Sequence, residues 1–141
     1  MSRLLNHNFW VRTLSGIVLF VLVVGLTKAS PYTLLMLLSA ICIGGMLEFY
    51  KMGRLTGAEP LETYPTILGV LAMLIAFFGR LGKISFAWFL IFIPAIFILF
   101  IIELYRNKKT PFANIAWAIT GLLYIAVPMA ILAYLPVQAG T

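Results

Sequence analysis

Five long apolar runs, parted by short clusters of charge, limit what this chain can fold into more than any other feature of its sequence. They cover residues 13–27, 31–47, 64–78, 85–102 and 112–135. A helix needs about 20 apolar residues to cross a hydrocarbon layer roughly 30 Å thick. The fourth and fifth runs reach that length unaided. The first and third reach it by borrowing flanking residues, such as Trp10 and Val11, or Leu61 to Thr63. The runs are continuous rather than alternating, which excludes barrel strands and selects helices. The expected fold is all-α: a polytopic transmembrane helical bundle of about five spanning helices, one transmembrane domain over residues 1–141.

Composition removes the competing solvents. Hydrophobic residues make up 63% of the chain and charged residues 10%, with a mean hydropathy of +1.09. Soluble domains average about 45–50% apolar and about 25% charged, so this inventory cannot cover a water-facing surface. Disorder needs the opposite balance, low hydrophobicity with high net charge. The net charge of +6 reads as loop charge facing anionic lipid, not as a nucleic-acid footprint. A single cysteine, Cys42, rules out a disulfide framework or a cysteine-based zinc site within one chain.

Basic residues in short loops set orientation. With the N-terminus in the cytoplasm, the inner side collects Arg3, Arg12, Lys51, Arg54, Arg106, Lys108 and Lys109, and the outer side Lys28, Arg80 and Lys83. Seven against three favours that arrangement, with Thr141 outside. The first run also has the layout of a cleaved signal peptide, with small residues at Ala29 and Ser30. Four further apolar runs favour a retained helix.

The four acids are Glu48, Glu59, Glu62 and Glu103, and there is no Asp. Glu48 is expected to end the second helix at the depth where Arg12 begins the first. Two readings are open: a pair shaping a headgroup pocket, or two interfacial charges snorkelling to water. Position favours the second. Glu103 and Arg106, three apart, can pair on one helix face; with Lys108 and Lys109 they read as a positive-inside stop signal more than as a phosphate site. Thr110-Pro111 reads as an N-cap followed by Pro at the first helical position. Asn114, Trp117 and Tyr124 either line a polar face or act as interface anchors, and spacing does not choose. Ala40 with Gly44, Ala72 with Ala76 and Ala126 with Ala130 permit close helix packing. Pro94 and Pro128 predict kinks, and His7 reads as a solvated tail residue.

Searches for chemistry return nothing complete. There is no G-x-S-x-G elbow, no H-E-x-x-H pair and no full phosphate-binding loop; Gly79-Arg80-Leu81-Gly82-Lys83 is a decoy. Metal-dependent phosphoryl chemistry gathers carboxylates on one Mg²⁺, and four scattered glutamates do not supply that.

Three segments nevertheless form a familiar set. They are Arg12-Thr13-Leu14-Ser15-Gly16 opening an apolar helix, Leu47-Glu48-Phe49-Tyr50-Lys51-Met52 closing the second, and Gly121-Leu122-Leu123-Tyr124 in the fifth. In order and spacing the chain resembles, over essentially its whole length, the N-terminal half of the bacterial phosphatidate cytidylyltransferases (CDP-diacylglycerol synthases). The resemblance implies a multi-span transferase of the bacterial inner membrane. Such an enzyme condenses phosphatidate with CTP, giving CDP-diacylglycerol and pyrophosphate in phospholipid biosynthesis, and uses Mg²⁺. Its partners would be the bilayer and those two substrates, with room for a homo-oligomer and no nucleic acid. The family's C-terminal signature, rich in Ser, Lys, Asp and Gly with metal-holding Asp, has no counterpart here. The expectation is therefore an N-terminal fragment, inactive by itself, whose catalytic half lies beyond Thr141. No catalytic, cofactor or metal residue carries over. Arg12, Glu48, Gly121 and Tyr124 match family-like positions, with structural roles expected. The alternative is a small non-enzymatic membrane protein, a scaffold or transporter subunit.

Overall fold

The computed structural model describes residues 30–135, together with 16–18, 21, 24 and 25. Those six early residues are helical; the rest of the first apolar run, with Arg12, lies outside the described residues. Pro31 opens helix α1 (Pro31–Leu55), where its fixed φ suits the first turn and its missing N–H is no loss. The Ser30 hydroxyl accepts the Tyr32 amide at 3.3 Å, a side-chain cap.

Helix α1 does not stop near Leu47. It runs two turns further, carrying Glu48, Lys51 and Arg54, so Glu48 is internal to the helix and not its end. Polarity alone does not end a helix; a backbone signal does. That signal comes at Gly57, whose φ of 86° suits a residue without Cβ and whose amide bonds the Arg54 carbonyl at 3.1 Å.

Helix α2 (Thr63–Arg80) follows. The fourth run begins as a 3₁₀ turn, Phe86–Ile91, and becomes helix α3 (Phe92–Tyr105). The fifth run is helix α4 (Pro111–Gly121), a π segment (Leu122–Ala126) and helix α5 (Val127–Tyr134). The two expected kinks are thus met by changes of winding. Pro94 cannot donate to the Leu90 carbonyl and its ring crowds it, and the tight 3₁₀ turn precedes it. Pro128 cannot donate to the Tyr124 carbonyl, and there the helix widens to i→i+5 bonding.

Four stretches among the described residues are long and apolar enough to span a bilayer: Pro31–Leu55, Thr63–Arg80, Phe86–Tyr105 and Pro111–Tyr134. Residues 38–135 form one compact unit, distinct from 1–37 with 136–141, and the packing below lies within that larger unit. Leu38, Cys42, Met46 and Tyr50, four apart along α1, are buried. Cys42, Met46 and Tyr50 share a core with Leu68 of α2, Ala95 of α3, and Leu122 and Ala126 of the π segment. Small residues bring α2 against the π segment and α5: Ala72, Ala76, Ala126 and Ala130 are all buried, and close backbone approach gains dispersion contacts that lipid cannot supply.

Helix α3 faces the other way. Ile93, Phe97, Ile98, Ile101 and Leu104 stay exposed. In water that surface would cost about 25 cal/mol for every Å²; in a bilayer the cost vanishes. The two ends of the unit differ in polarity. At one, Arg80 Nη1 donates to the Leu135 carbonyl at 3.1 Å and the Phe86 and Tyr134 rings meet edge to face at 5.5 Å. At the other, the α1–α2 loop joins the α3–α4 loop through charge. Consecutive loops therefore alternate between ends, as spanning helices require.

Candidate functional site

The polar end is built on Glu103, in the last turn of α3, and Asn114, in the first turn of α4. Both are fully buried. A buried carboxylate is tolerated only when its oxygens are paired, and here both are. Asn114 Nδ2 donates to Glu103 Oε1 at 2.6 Å, and Arg106 Nη1 donates to Oε2 at 2.6 Å. Asn107, at φ 50°, turns the chain after α3, and Asn tolerates that left-handed conformation better than most residues. Thr110 then takes the N-cap position with Pro111 behind it. Its hydroxyl does not cap the backbone; it donates to Asn114 Oδ1 at 3.5 Å.

The α1–α2 loop folds over this pair. Asn114 Oδ1 accepts the Glu59 amide at 2.7 Å, and Arg106 Nη1 also donates to the Glu59 carbonyl at 3.1 Å. The Glu59 side chain pairs with Lys108, and Glu62 pairs with Arg54. The Lys108 bond and charge, with Arg106 and Lys109 adding to them, hold the Glu59 carboxyl below its ordinary value. No buried side-chain polar atom is left without a partner among the described residues. The arrangement is a clamp that fixes two loops to two helix ends.

Sequence reasoning read the four glutamates as scattered. The structure brings Glu59 and Glu103 onto one asparagine. The available signal was a lone Asn inside the fifth apolar run, with opposite charges in two loops on the same side. Asn114, Trp117 and Tyr124 share no polar face. Asn114 is in the clamp, Trp117 packs on Phe49 at 5.0 Å between ring centroids, and Tyr124 is exposed, stacked on Phe49 at 6.3 Å.

Of the residues singled out at family-like positions, Arg12 lies outside the described ones. Glu48 sits on the exposed side of α1 with no ion pair among the described residues. Gly121 lies against Tyr50, where an added Cβ would come within 2.5 Å of the hydroxyl oxygen. That hydroxyl donates to the Ala118 carbonyl at 3.3 Å, so α1 and α4 touch nearly backbone to ring. The acids do not fit a resident Mg²⁺. Glu59, Glu62 and Glu103 each face a cation, Glu48 stands apart, and the described residues hold no group of three side chains able to ligate a metal ion.

Comparison with known proteins goes further than the geometry. Neither a curated protein nor a solved structure matches the chain. The model of the cytidylyltransferase family matches residues 10–140, nearly the whole chain and all of the described bundle. The protein belongs to the cytidylyltransferase family.

Proposed function

We propose that the chain is the membrane portion of a CTP:phosphatidate cytidylyltransferase, which makes CDP-diacylglycerol and pyrophosphate in the inner membrane of a bacterium. The observation that carries this reading is the family match falling on a bundle with four helices long and apolar enough to span a bilayer. A family that uses CTP needs an acceptor, and four apolar helices offer access from the bilayer. A lipid bearing a phosphate is the acceptor that both supplies the nucleophile and reaches such a chain from its side.

Joining a lipid phosphate to a nucleoside triphosphate brings two anions together, so charge must be neutralised where the bond forms. On this chain the clamp end carries Lys51, Arg54, Arg106, Lys108 and Lys109. The role we give these residues is positional. Arg106 and Lys108 fix the α1–α2 loop, and the remaining basic charge raises the local concentration of anions. The Mg²⁺ implied by the resemblance has no fitting donor set among the described residues.

The test is an acceptor panel. Membranes containing the product of the whole reading frame would be given CTP with phosphatidate, diacylglycerol or glycerol 3-phosphate, and the products weighed by mass spectrometry. CDP-diacylglycerol from phosphatidate alone is expected. A cytidylylated water-soluble product would move the acceptor out of the bilayer. No product from any acceptor would favour the non-enzymatic scaffold.

A further inference from the structure

The clamp has one exposed acid. The Glu59 side chain is 54% exposed, whereas that of Glu103 is wholly buried, and the cations of the α3–α4 turn converge on it. Lys108 pairs with the Glu59 carboxylate, and Arg106 and Lys109 add their charge there. Arg106 Nη1 is shared between Glu103 Oε2 and the Glu59 carbonyl, and the same guanidinium carries further donors on Nε and Nη2.

The place of the α1–α2 loop does not depend on that carboxylate. Asn114 Oδ1 holds the Glu59 amide at 2.7 Å, and Arg106 holds the Glu59 carbonyl at 3.1 Å. The backbone of residue 59 is thus fixed from both sides, and the carboxylate can leave Lys108 without unfastening the loop. An ion pair this exposed shifts an equilibrium by about fivefold at most, so a better anion displaces it. The charge count says which anion is better. Arg106, Lys108 and Lys109 meet two carboxylates, those of Glu59 and Glu103, and one positive charge is left over. A terminal phosphate carries about two negative charges at pH 7 and three strong acceptor oxygens. In place of the Glu59 carboxylate it balances the excess, and guanidinium geometry suits it.

We infer that Glu59 is a built-in substitute for a phosphate group: its carboxylate closes an anion site formed by Arg106, Lys108 and Lys109, and a terminal phosphate displaces it. The ligand class is a phosphate dianion, carried either by a soluble polyphosphate or by a lipid headgroup at this surface. The inference deepens the reading of the clamp end given above but rests on its charges alone, and it holds whichever acceptor the transferase uses.

The test uses the full chain in phosphatidylcholine discs at constant ionic strength, without metal. One probe is pyrophosphate in solution, the other phosphatidate built into the disc. Phosphorus NMR reads binding of each, and hydrogen exchange in residues 56–62 reads displacement of the carboxylate. A bound probe should raise that exchange toward the level of Lys108→Gln. Half-saturation should come at about fivefold more probe in Lys108→Gln and about threefold less in Glu59→Gln, which removes the competitor. In a Lys108→Gln background the gain from Glu59→Gln should vanish, because the carboxylate competes for that ammonium. A response to pyrophosphate assigns a soluble ligand, and a response to phosphatidate alone assigns a lipid; either supports the site. Failure of both probes to bind the native chain and Glu59→Gln would overturn it. So would equal or weaker binding by Glu59→Gln, or an undiminished gain with Lys108 replaced, which is the behaviour of general surface charge. Should Lys108→Gln misfold, Lys108→Arg should keep the native half-saturation, and Glu59→Gln still decides.

Discussion

Replacing Asn114 by leucine is the perturbation that bears hardest on the clamp. The change keeps the number and branching of side-chain heavy atoms but replaces the amide donor and acceptor with two methyl groups. Glu103 Oε1 loses its 2.6 Å bond, and a hydrogen bond to a charged group is worth about 1.5–3 kcal/mol. The Glu59 amide loses its 2.7 Å acceptor, about 1 kcal/mol for a neutral bond. Because Glu103 is fully buried, water cannot replace Asn114 without opening the helix ends. The expected loss is about 3 kcal/mol in equilibrium unfolding of the full chain in mixed micelles, followed by far-ultraviolet circular dichroism. Glu103→Leu alone should cost a similar amount, since it orphans Asn114 Nδ2 and leaves Arg106 facing an apolar side chain. The double variant removes both buried partners, and Arg106, whose side chain is 26% exposed, turns to solvent. Its loss should therefore fall short of the sum of the singles by about 2 kcal/mol, the signature of a directly coupled pair. Losses that add within about 0.5 kcal/mol, the range for independent sites, would refute the account of the clamp.

Gly121→Ala should destabilise the chain by about 1–3 kcal/mol by overpacking against Tyr50, and Tyr50→Leu in the same chain should recover part of it; melting temperatures of the four chains decide this. The Glu59 carboxyl is held below its ordinary value by Lys108, so its contribution is present above that ordinary value and is lost as pH falls through the depressed one. Hydrogen exchange in residues 56–62, corrected for intrinsic rates, should rise on acidification toward pH 3, and Lys108→Gln should remove that extra protection at neutral pH. Single cysteines at Thr56 and Ser85 in a Cys42→Ser background test orientation. A membrane-impermeant thiol reagent on intact cells should label Ser85 and spare Thr56, and the reverse pattern would invert the topology.

The spans were legible because apolar continuity is a strong signal and lipid is the only solvent that tolerates it. Run boundaries were less legible. The run from Pro31 suggested an end near Leu47, but charged residues are good helix formers and α1 continues to the turn at Gly57. Prolines announced a departure from regular winding at Pro94 and Pro128 without saying whether the helix would bend, tighten or widen. The clamp was hidden for a different reason. Glu59 and Asn114 are 55 residues apart, and no local period links a loop backbone amide to an asparagine inside an apolar run. Gly121 stood out in the sequence, yet its partner Tyr50 did not, because a ring seated against a distant glycine leaves no local trace.

The central proposal is that this chain supplies the membrane portion of a phosphatidate cytidylyltransferase while Glu59, Glu62 and Glu103 serve as clamp and counter-ions. Pyrophosphate release tests it most directly, measured with CTP, Mg²⁺ and phosphatidate in liposomes for residues 1–141 and for the product of the reading frame extended past Thr141. The account predicts no release above a protein-free blank from residues 1–141 and phosphatidate-dependent release from the longer chain. Turnover by residues 1–141, surviving removal of host enzyme, would contradict it, as would a longer chain that releases none.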